Sequence, residues 1–305
     1  MAALTKDKVK RALRGALKSI RDFAYVCQLP ARPPVPLVKR PRVGVALGGG
    51  FARGLAHVGV LKVLAENHIP IDALAGTSVG SIVAAAFASG VTLDQMLEEA
   101  RRVRFGSFAR WTVSRLGLAT NERMEQMLRR VIPCSRFEEL KVPLAVVAAD
   151  ISTGEAVTFS HGDLIPPLRA SCSFPGLFLP VEYQGRLLVD GAIVGSVPVA
   201  ALQALGIDTV VAVHLRTNGP HHEPANIFQV IGQAFQIAQG LNDATWRKSC
   251  NVVLEPETNE FQWDDFLRAD DLIAAGERAA RQALPALRRL LEPRASLAVQ
   301  PAPAR

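Results

Sequence analysis

Residues 73–93 read ALAGTSVGSIVAAAFASGVTL, 21 positions without a charge. A run of that length could span a bilayer. Its first half argues otherwise, because Gly76, Thr77, Ser78, Gly80 and Ser81 crowd where a span would carry bulky apolar side chains. The stretch reads better as three pieces: a buried strand over residues 71–75, a tight turn, and an Ala-rich helix over 79–89. Strand, turn and helix in succession are the repeating unit of an α/β fold.

The turn is Gly76-Thr77-Ser78-Val79-Gly80, a Gly-x-Ser-x-Gly between an apolar strand and an apolar helix. That is the context of a nucleophile elbow, whose strained turn lifts a serine hydroxyl clear of the backbone. Glycine on each side removes the Cβ atoms that would clash there. The helix that follows aims its first amides at developing negative charge.

Upstream, residues 42–47 (RVGVAL) predict a second strand, and residues 55–66 a helix. Between them lies Gly48-Gly49-Gly50-Phe51-Ala52-Arg53-Gly54. Free backbone amides in such a loop suit an oxyanion hole, and equally a phosphate cradle. No Gly-Lys-Ser/Thr follows, which excludes a Walker loop, and a strict dinucleotide fingerprint fails at Phe51 or Arg53.

Downstream, residues 142–149 and 209–215 predict further buried strands. Helices are expected over 92–103, 120–131, 225–240 and 268–291, with Pro285 bending the last. This alternation predicts an α/β fold with a mostly parallel sheet covered on both faces. A third signal, Val189-Asp190-Gly191-Ala192, ends a β-like run; alone, its aspartate could be no more than a turn former.

Charge is unevenly placed. Residues 1–42 hold 11 Lys/Arg against 2 Asp/Glu, leaving 24 basic against 26 acidic in the remainder. Such a distribution argues against a nucleic-acid-binding face on the body. Within the arm, Val9, Leu13, Leu17, Ile20 and Phe23 recur at helical spacing among lysines and arginines. An amphipathic basic helix over 5–27 is expected, able to make peripheral contact with an anionic membrane through residues 1–30 or simply to show its charges to water. A proline-rich linker over 30–41 follows. The expected organisation is therefore an arm (1–42), a catalytic domain (43–203), a C-terminal part of the same body (204–292) and a disordered tail (293–305). Cys27, Cys134, Cys172 and Cys250 show no paired spacing, and no leader is recognisable, so a reducing, cytoplasmic setting is expected.

Taken together, RVGVALGGGFARGLAHVGVL, GTSVG, ASCSFPGLFLPV and LLVDGAIVGSVPV resemble the patatin-like phospholipases, in particular bacterial members related to the neuropathy-target-esterase group. The resemblance covers residues 43–203 and extends weakly through 268–283. It implies a three-layer α/β/α fold and a serine ester hydrolase that cleaves acyl esters of phospholipids or lysophospholipids. It implies a Ser–Asp dyad with Ser78 as nucleophile and Asp190 as base, and neither metal nor cofactor. The amides of Gly49, Gly50 and Phe51 would form the oxyanion hole, with Arg53 and Gly54 supporting the loop and Gly76, Gly80 and Gly191 completing the motifs. Asp150 falls in a further family block and reads as structural. Phe51 stands where the family has glycine: it either weakens the hole or lines an acyl pocket.

Elementary acid–base chemistry raises an objection, since an ordinary aspartate is a poor base for a serine hydroxyl. His214, closing the strand TVVAVHL, could complete a Ser…Asp…His triad. His57 lies within an apolar helix face and reads as core, while His221 and His222 fall in a loop. The resemblance favours the dyad. Acyl transfer on the same residues and a non-catalytic lipid-binding protein remain the competing functions.

Overall fold

The computed structural model describes residues 40–112, 114–216, 223–224 and 227–292, together with Asp7, Lys10, Arg14, Gly15 and Lys18. From the N-terminal side the elements are β1 (Val43–Leu47), α1 (Ala56–Glu66), β2 (Ala73–Thr77), α2 (Val79–Ser89) and α3 (Leu93–Arg102). A short pair follows, β3 (Arg110–Trp111) and β4 (Gly117–Thr120), then α4 (Glu122–Val131), β5 (Leu144–Asp150), β6 (Ala156–Phe159) and α5 (Ile165–Ser171). The second half holds β7 (Gly176–Phe178), β8 (Val181–Tyr183), β9 (Arg186–Asp190), α6 (Val199–Ala204), β10 (Thr209–Val213), α7 (Ile227–Arg247), β11 (Val252–Leu254) and α8 (Ala269–Leu291).

The main sheet runs in the order β11-β10-β1-β2-β5-β9-β8, with β6 pairing β5 off that path. Strands β11, β10, β1, β2 and β5 are mutually parallel. At one side β5 meets β9 and β6, and β9 meets β8, in antiparallel pairing. Strands β3, β4 and β7 form a small separate sheet.

Side-chain size separates the two faces of the main sheet. Val43, Val45, Leu47, Leu74, Leu144 and Val146 point into a large core shared with α1, α2 and α8. Their neighbours Ala46, Ala73, Ala75, Ala145 and Ala212 face a thinner core made with α6 and Trp246. Alternation along each strand thus builds three layers, α/β/α, with short residues where the helix must come close.

On the thick face α1 crosses α8 at two glycines. A Cβ on Gly59 would lie 2.0 Å from the Ile273 carbonyl oxygen, and one on Gly276 would lie 1.9 Å from that of Ala56. Only glycine permits this backbone-to-backbone packing. Lys62 Nζ donates to Glu277 Oε1 at 2.6 Å beside the crossing.

Several element boundaries differ from the sequence reading. Strand β2 starts at Ala73 because Asp72 is occupied otherwise, accepting the Val43 amide and a bidentate bond from Arg40. The helix expected over 225–240 instead spans Ile227–Arg247, whereas α8 keeps its expected extent through Pro285 to Leu291. The antiparallel edge and the small sheet were not anticipated.

Residues 1–39 form a unit separate from 40–305. Its five described residues are exposed and helical. The remainder of the basic helix, the linker up to Lys39, Cys27, His221, His222 and the tail from Pro293 lie outside the described residues. Among the described residues no helix is long and apolar enough to cross a membrane.

Candidate active site

Ser78 stands between β2 and α2 with φ 54° and ψ −132°. A non-glycine residue held there stores about 1–3 kcal/mol of strain. The surroundings enforce the conformation. A Cβ on Gly80 would come within 2.3 Å of the Leu47 carbonyl oxygen, and one on Gly76 within 2.3 Å of Ser81 Cα. The Ser78 amide donates to Ser171 Oγ at 2.8 Å, and that hydroxyl donates onward to the Val147 carbonyl at 2.6 Å. Ser81 Oγ donates to the Ser78 carbonyl at 2.6 Å. Ser171 is a positioning residue that the sequence reading passed over, although it lies in the quoted block ASCSFPGLFLPV.

Sheet register brings the carboxylate to the serine. Thr77 is in register with Val147 across the parallel β2–β5 pair, and Ala148 with Asp190 across the antiparallel β5–β9 pair. The end of β2 and the end of β9 therefore flank the same point of β5. Ser78 Oγ donates to Asp190 Oδ2 at 2.7 Å, and the Ala192 amide donates to Asp190 Oδ1 at 2.9 Å. Gly191 follows in the 3-10 turn that supplies this amide. Burial pushes the Asp190 pKa up to about 7, against the smaller opposing effect of its two hydrogen bonds. An aspartate near 7 answers the objection raised from its ordinary acidity.

The glycine loop passes over this pair. A Cβ on Gly49 would sit 3.3 Å from Ala192 Cβ and 3.4 Å from Ser78 Cβ. The Gly48 amide donates to Val213 and the Gly49 amide to Ser196, at 3.1 and 3.2 Å. The expectation of three oxyanion donors is corrected on this point: the Gly49 N–H is already committed to a carbonyl. Among the described residues the amides of Gly50 and Phe51 have no such partner. His57, fully buried on α1, donates from Nε2 to the Gly48 carbonyl at 2.8 Å. Since a carbonyl only accepts, Nε2 carries the proton and Nδ1 is left bare and unpartnered. Burial drives the His57 pKa down to about 4, so it is neutral at ordinary pH. It is core, as expected, and it also ties down the loop.

Arg53 supports the loop through its backbone, donating its amide to the Gly50 carbonyl at 3.2 Å. Its guanidinium makes no bond to the loop; the buried Nε has no partner, and burial lowers its pKa. The contact of Arg53 with the loop is thus a main-chain one. Gly54 is buried in the turn Phe51–Leu55.

Phe51 has φ 51°, the left-handed region in which glycine is favoured. Its ring packs edge-on against Phe174 and Trp263, with centroids 5.3 and 5.4 Å away. The same ring lines an apolar cavity that begins at Ser78 and continues between α2, α3 and α4. This cavity encloses about 960 Å³, open mouth included, and Met96, Met124 and Met127 all line it. Glu99 is its single charged lining residue.

His214 belongs to a different group. Its Nε2 lies 3.3 Å from Asp243 and its Nδ1 3.3 Å from Glu255, with Arg247 at 2.9 Å from Nδ1. Among the described residues it contacts neither Ser78 nor Asp190. Asp150 accepts the Ser152 amide at 2.9 Å and pairs with Arg186 at 3.2 Å, a turn-holding arrangement.

Comparison with known proteins places this arrangement in a lineage. An uncharacterized NTE family protein of Mycobacterium bovis is 36% identical over 188 residues, covering 61% of this chain and 51% of the relative. The lysophospholipase nte1 of Emericella nidulans is 32% identical over 177 residues, 56% of this chain and 12% of that protein. The chain spans about half the length of the mycobacterial relatives it matches. Among solved structures, VipD from Legionella pneumophila superposes with a TM-score of 0.47 at 12% identity, over 82% of this chain and 67% of that one. The profile of the patatin-like phospholipases matches residues 45–202, a span that takes in Ser78 and Asp190 alike and exceeds half of the chain, and on that match the chain belongs to the patatin-like phospholipase family.

Proposed function

We propose that the protein is a serine ester hydrolase that cleaves acyl esters of phospholipids or lysophospholipids, with Ser78 as nucleophile and Asp190 as its base. The observation that carries this reading is the 2.7 Å bond from Ser78 Oγ to a buried carboxylate at the head of an apolar cavity.

As Ser78 Oγ attacks the ester carbonyl, Asp190 accepts its proton, and the amides of Gly50 and Phe51 receive the negative oxygen. Collapse of the tetrahedral species expels the alkoxide, which takes the proton back from Asp190 and leaves as alcohol or lysolipid. Water then gives a proton to Asp190 while its oxygen attacks the acyl-enzyme; the proton returns to Ser78 as the fatty acid departs. The acyl chain occupies the cavity beyond Phe51, where methionines supply adaptable apolar walls. Transfer of the acyl group to another alcohol would use the same atoms, and product analysis with added lysolipid separates the two.

A fluorophosphonate probe and p-nitrophenyl esters test the assignment together. Wild-type protein is expected to label at Ser78 and to hydrolyse esters. S78A should lose both, D190N should lose at least about 100-fold in kcat/KM, and H214A should keep most of its activity. Absence of labelling in folded wild-type protein would make the chain a non-catalytic member. Loss of activity in folded H214A would replace the dyad with a triad.

A further inference from the structure

The near-neutral charge of the body conceals a local imbalance. Residues 100–121 contain five arginines and no acidic residue. Arg101 and Arg102 are held by Asp270 and Glu98, and Arg104 spends a guanidinium nitrogen on the carbonyls of Arg101 and Val103. Arg110 and Arg115 are exposed and have no carboxylate partner among the described residues. Arg110 opens β3, and Arg115 lies in the connection between β3 and β4, which pair as a hairpin.

The same hairpin points its apolar side chains outward. Gly117 and Ala119 of β4 face inward, while Leu116 and Leu118 are 63% and 36% exposed. Trp111 on β3 is 66% exposed. A strand with one buried face ordinarily shows polar residues to water, so this pattern is inverted. Scattered apolar residues on a surface need no explanation; three large ones on one hairpin, beside two arginines without a carboxylate partner among the described residues, do.

The hairpin lies one strand away from the cavity that begins at Ser78, with β4 pairing β7. Ala119 is in register with Phe178, which lines that cavity. Phe105 packs against Trp111 at 5.9 Å and against Trp263 at 5.9 Å, and Trp263 in turn meets Phe51 at 5.4 Å. A run of aromatic rings leads from the exposed hairpin to Phe51, which lines the same cavity as Ser78.

We propose that the β3–β4 hairpin is a docking edge for an anionic phospholipid bilayer: Trp111, Leu116 and Leu118 enter the boundary between headgroups and acyl chains, while Arg110 and Arg115 engage lipid phosphates. Charge selects this occupant. A second copy of the chain would bring the same unpaired arginines face to face, and the basic arm would be repelled. A nucleic acid would satisfy the arginines but leave two outward leucines in water. An anionic membrane alone offers phosphates and an apolar layer within one side-chain length of each other. Tryptophan is suited to that boundary, and arginine reaches from the apolar layer back to the headgroups.

The test uses the full chain and vesicles of phosphatidylcholine with or without phosphatidylglycerol, read by co-sedimentation. R110S/R115S is expected to weaken partitioning onto the anionic vesicles about twentyfold, the effect of two interfacial arginines, with little change on phosphatidylcholine. W111S/L116S should weaken partitioning onto both, by about tenfold. Brominated phosphatidylcholine should quench tryptophan fluorescence in wild type and lose that effect in W111S; residues 1–39 contain no tryptophan, so the arm cannot mimic the signal. All variants are expected to melt like wild type and to hydrolyse soluble esters at its rate. Unchanged partitioning, quenching that survives in W111S, or a wild-type dimer that W111S/L116S dissolves would each overturn the proposal. S78A should bind vesicles as wild type does, so failure of the hydrolase reading leaves this one standing, and the reverse.

Discussion

At the scale of single residues, the aspartate proposed as the base also carries a stability cost. The folded pKa of Asp190, about 7, lies above its ordinary value of 3.8 because burial disfavours the charged form. Its contribution to stability is therefore complete below pH 3.8 and is lost as pH rises through 7. Activity runs the other way, since only the ionised carboxylate can accept the Ser78 proton. We expect kcat/KM for a soluble ester to rise with pH around an inflection near 7. We expect D190N, which never ionises, to melt at a higher temperature than wild type at pH 8, the gap closing towards pH 4. A flat pH–rate profile from 5 to 9, or a D190N protein less stable at pH 8, would contradict this account of the carboxylate. The sequence singled out Ser78 through the backbone requirement of its motif, whereas Asp190, alone no more than a turn former, was reached only through the family resemblance. The sequence could not expose Ser171, whose hydroxyl matters only through a bond to an amide 93 positions away.

At the scale of elements, α3 and α4 are amphipathic helices whose apolar stripes close the cavity, with Met96 on one and Met124 and Met127 on the other. Filling that space tests what it holds. Met127→Trp is expected to lower kcat/KM for p-nitrophenyl palmitate at least about tenfold, the scale of a few kcal/mol of lost apolar fit, while butyrate hydrolysis stays near wild type. Parallel loss on both esters would mean that the acyl chain lies elsewhere. The elements themselves were largely readable: β1, α1, α2 and α8 fall within a residue or two of their sequence boundaries, because each has a clean apolar period and a glycine or charge at its end. The short strands β3, β4, β7 and β8 were not readable. Two to four residues carry too little period to register, and their existence depends on partners supplied by the finished fold. Phe51 was legible as an anomaly with two readings, a weakened hole or a pocket wall. Its place in the cavity wall required Phe174 and Trp263, both more than a hundred residues distant.

At the scale of the whole molecule, the body and the first 39 residues are separate units. The cores, the elbow, the carboxylate and the cavity are all drawn from residue 43 onward. Arg40, the first residue of the second unit, makes paired bonds to Asp72 at 2.6 and 2.7 Å. A protein beginning at Arg40 is thus expected to keep kcat/KM on soluble esters and to melt within about 3 °C of the full chain, a shift of under ~1 kcal/mol. A large drop in melting temperature would show that the arm is part of the core. The separation was visible in charge and proline content alone, whereas the order of strands was not, since nothing in a linear sequence says that β10 lies beside β1.

That neighbourhood governs how the protein can be made. Lys62 and Glu277 meet across 215 positions, beside the glycine crossing of α1 and α8, and β1 is flanked by β10. A ribosome that has just translated residue 202 has joined both Ser78 and Asp190 into the chain but has made neither β10 nor α8. Contacts so distant along the chain close late and slowly. Until then the nascent polypeptide presents an uncovered α1 and an open edge at β1, surfaces that chaperones grip and that aggregate when left alone. Messages cut short before α8 should accordingly yield insoluble product, even though every atom of the serine–carboxylate pair has been synthesised.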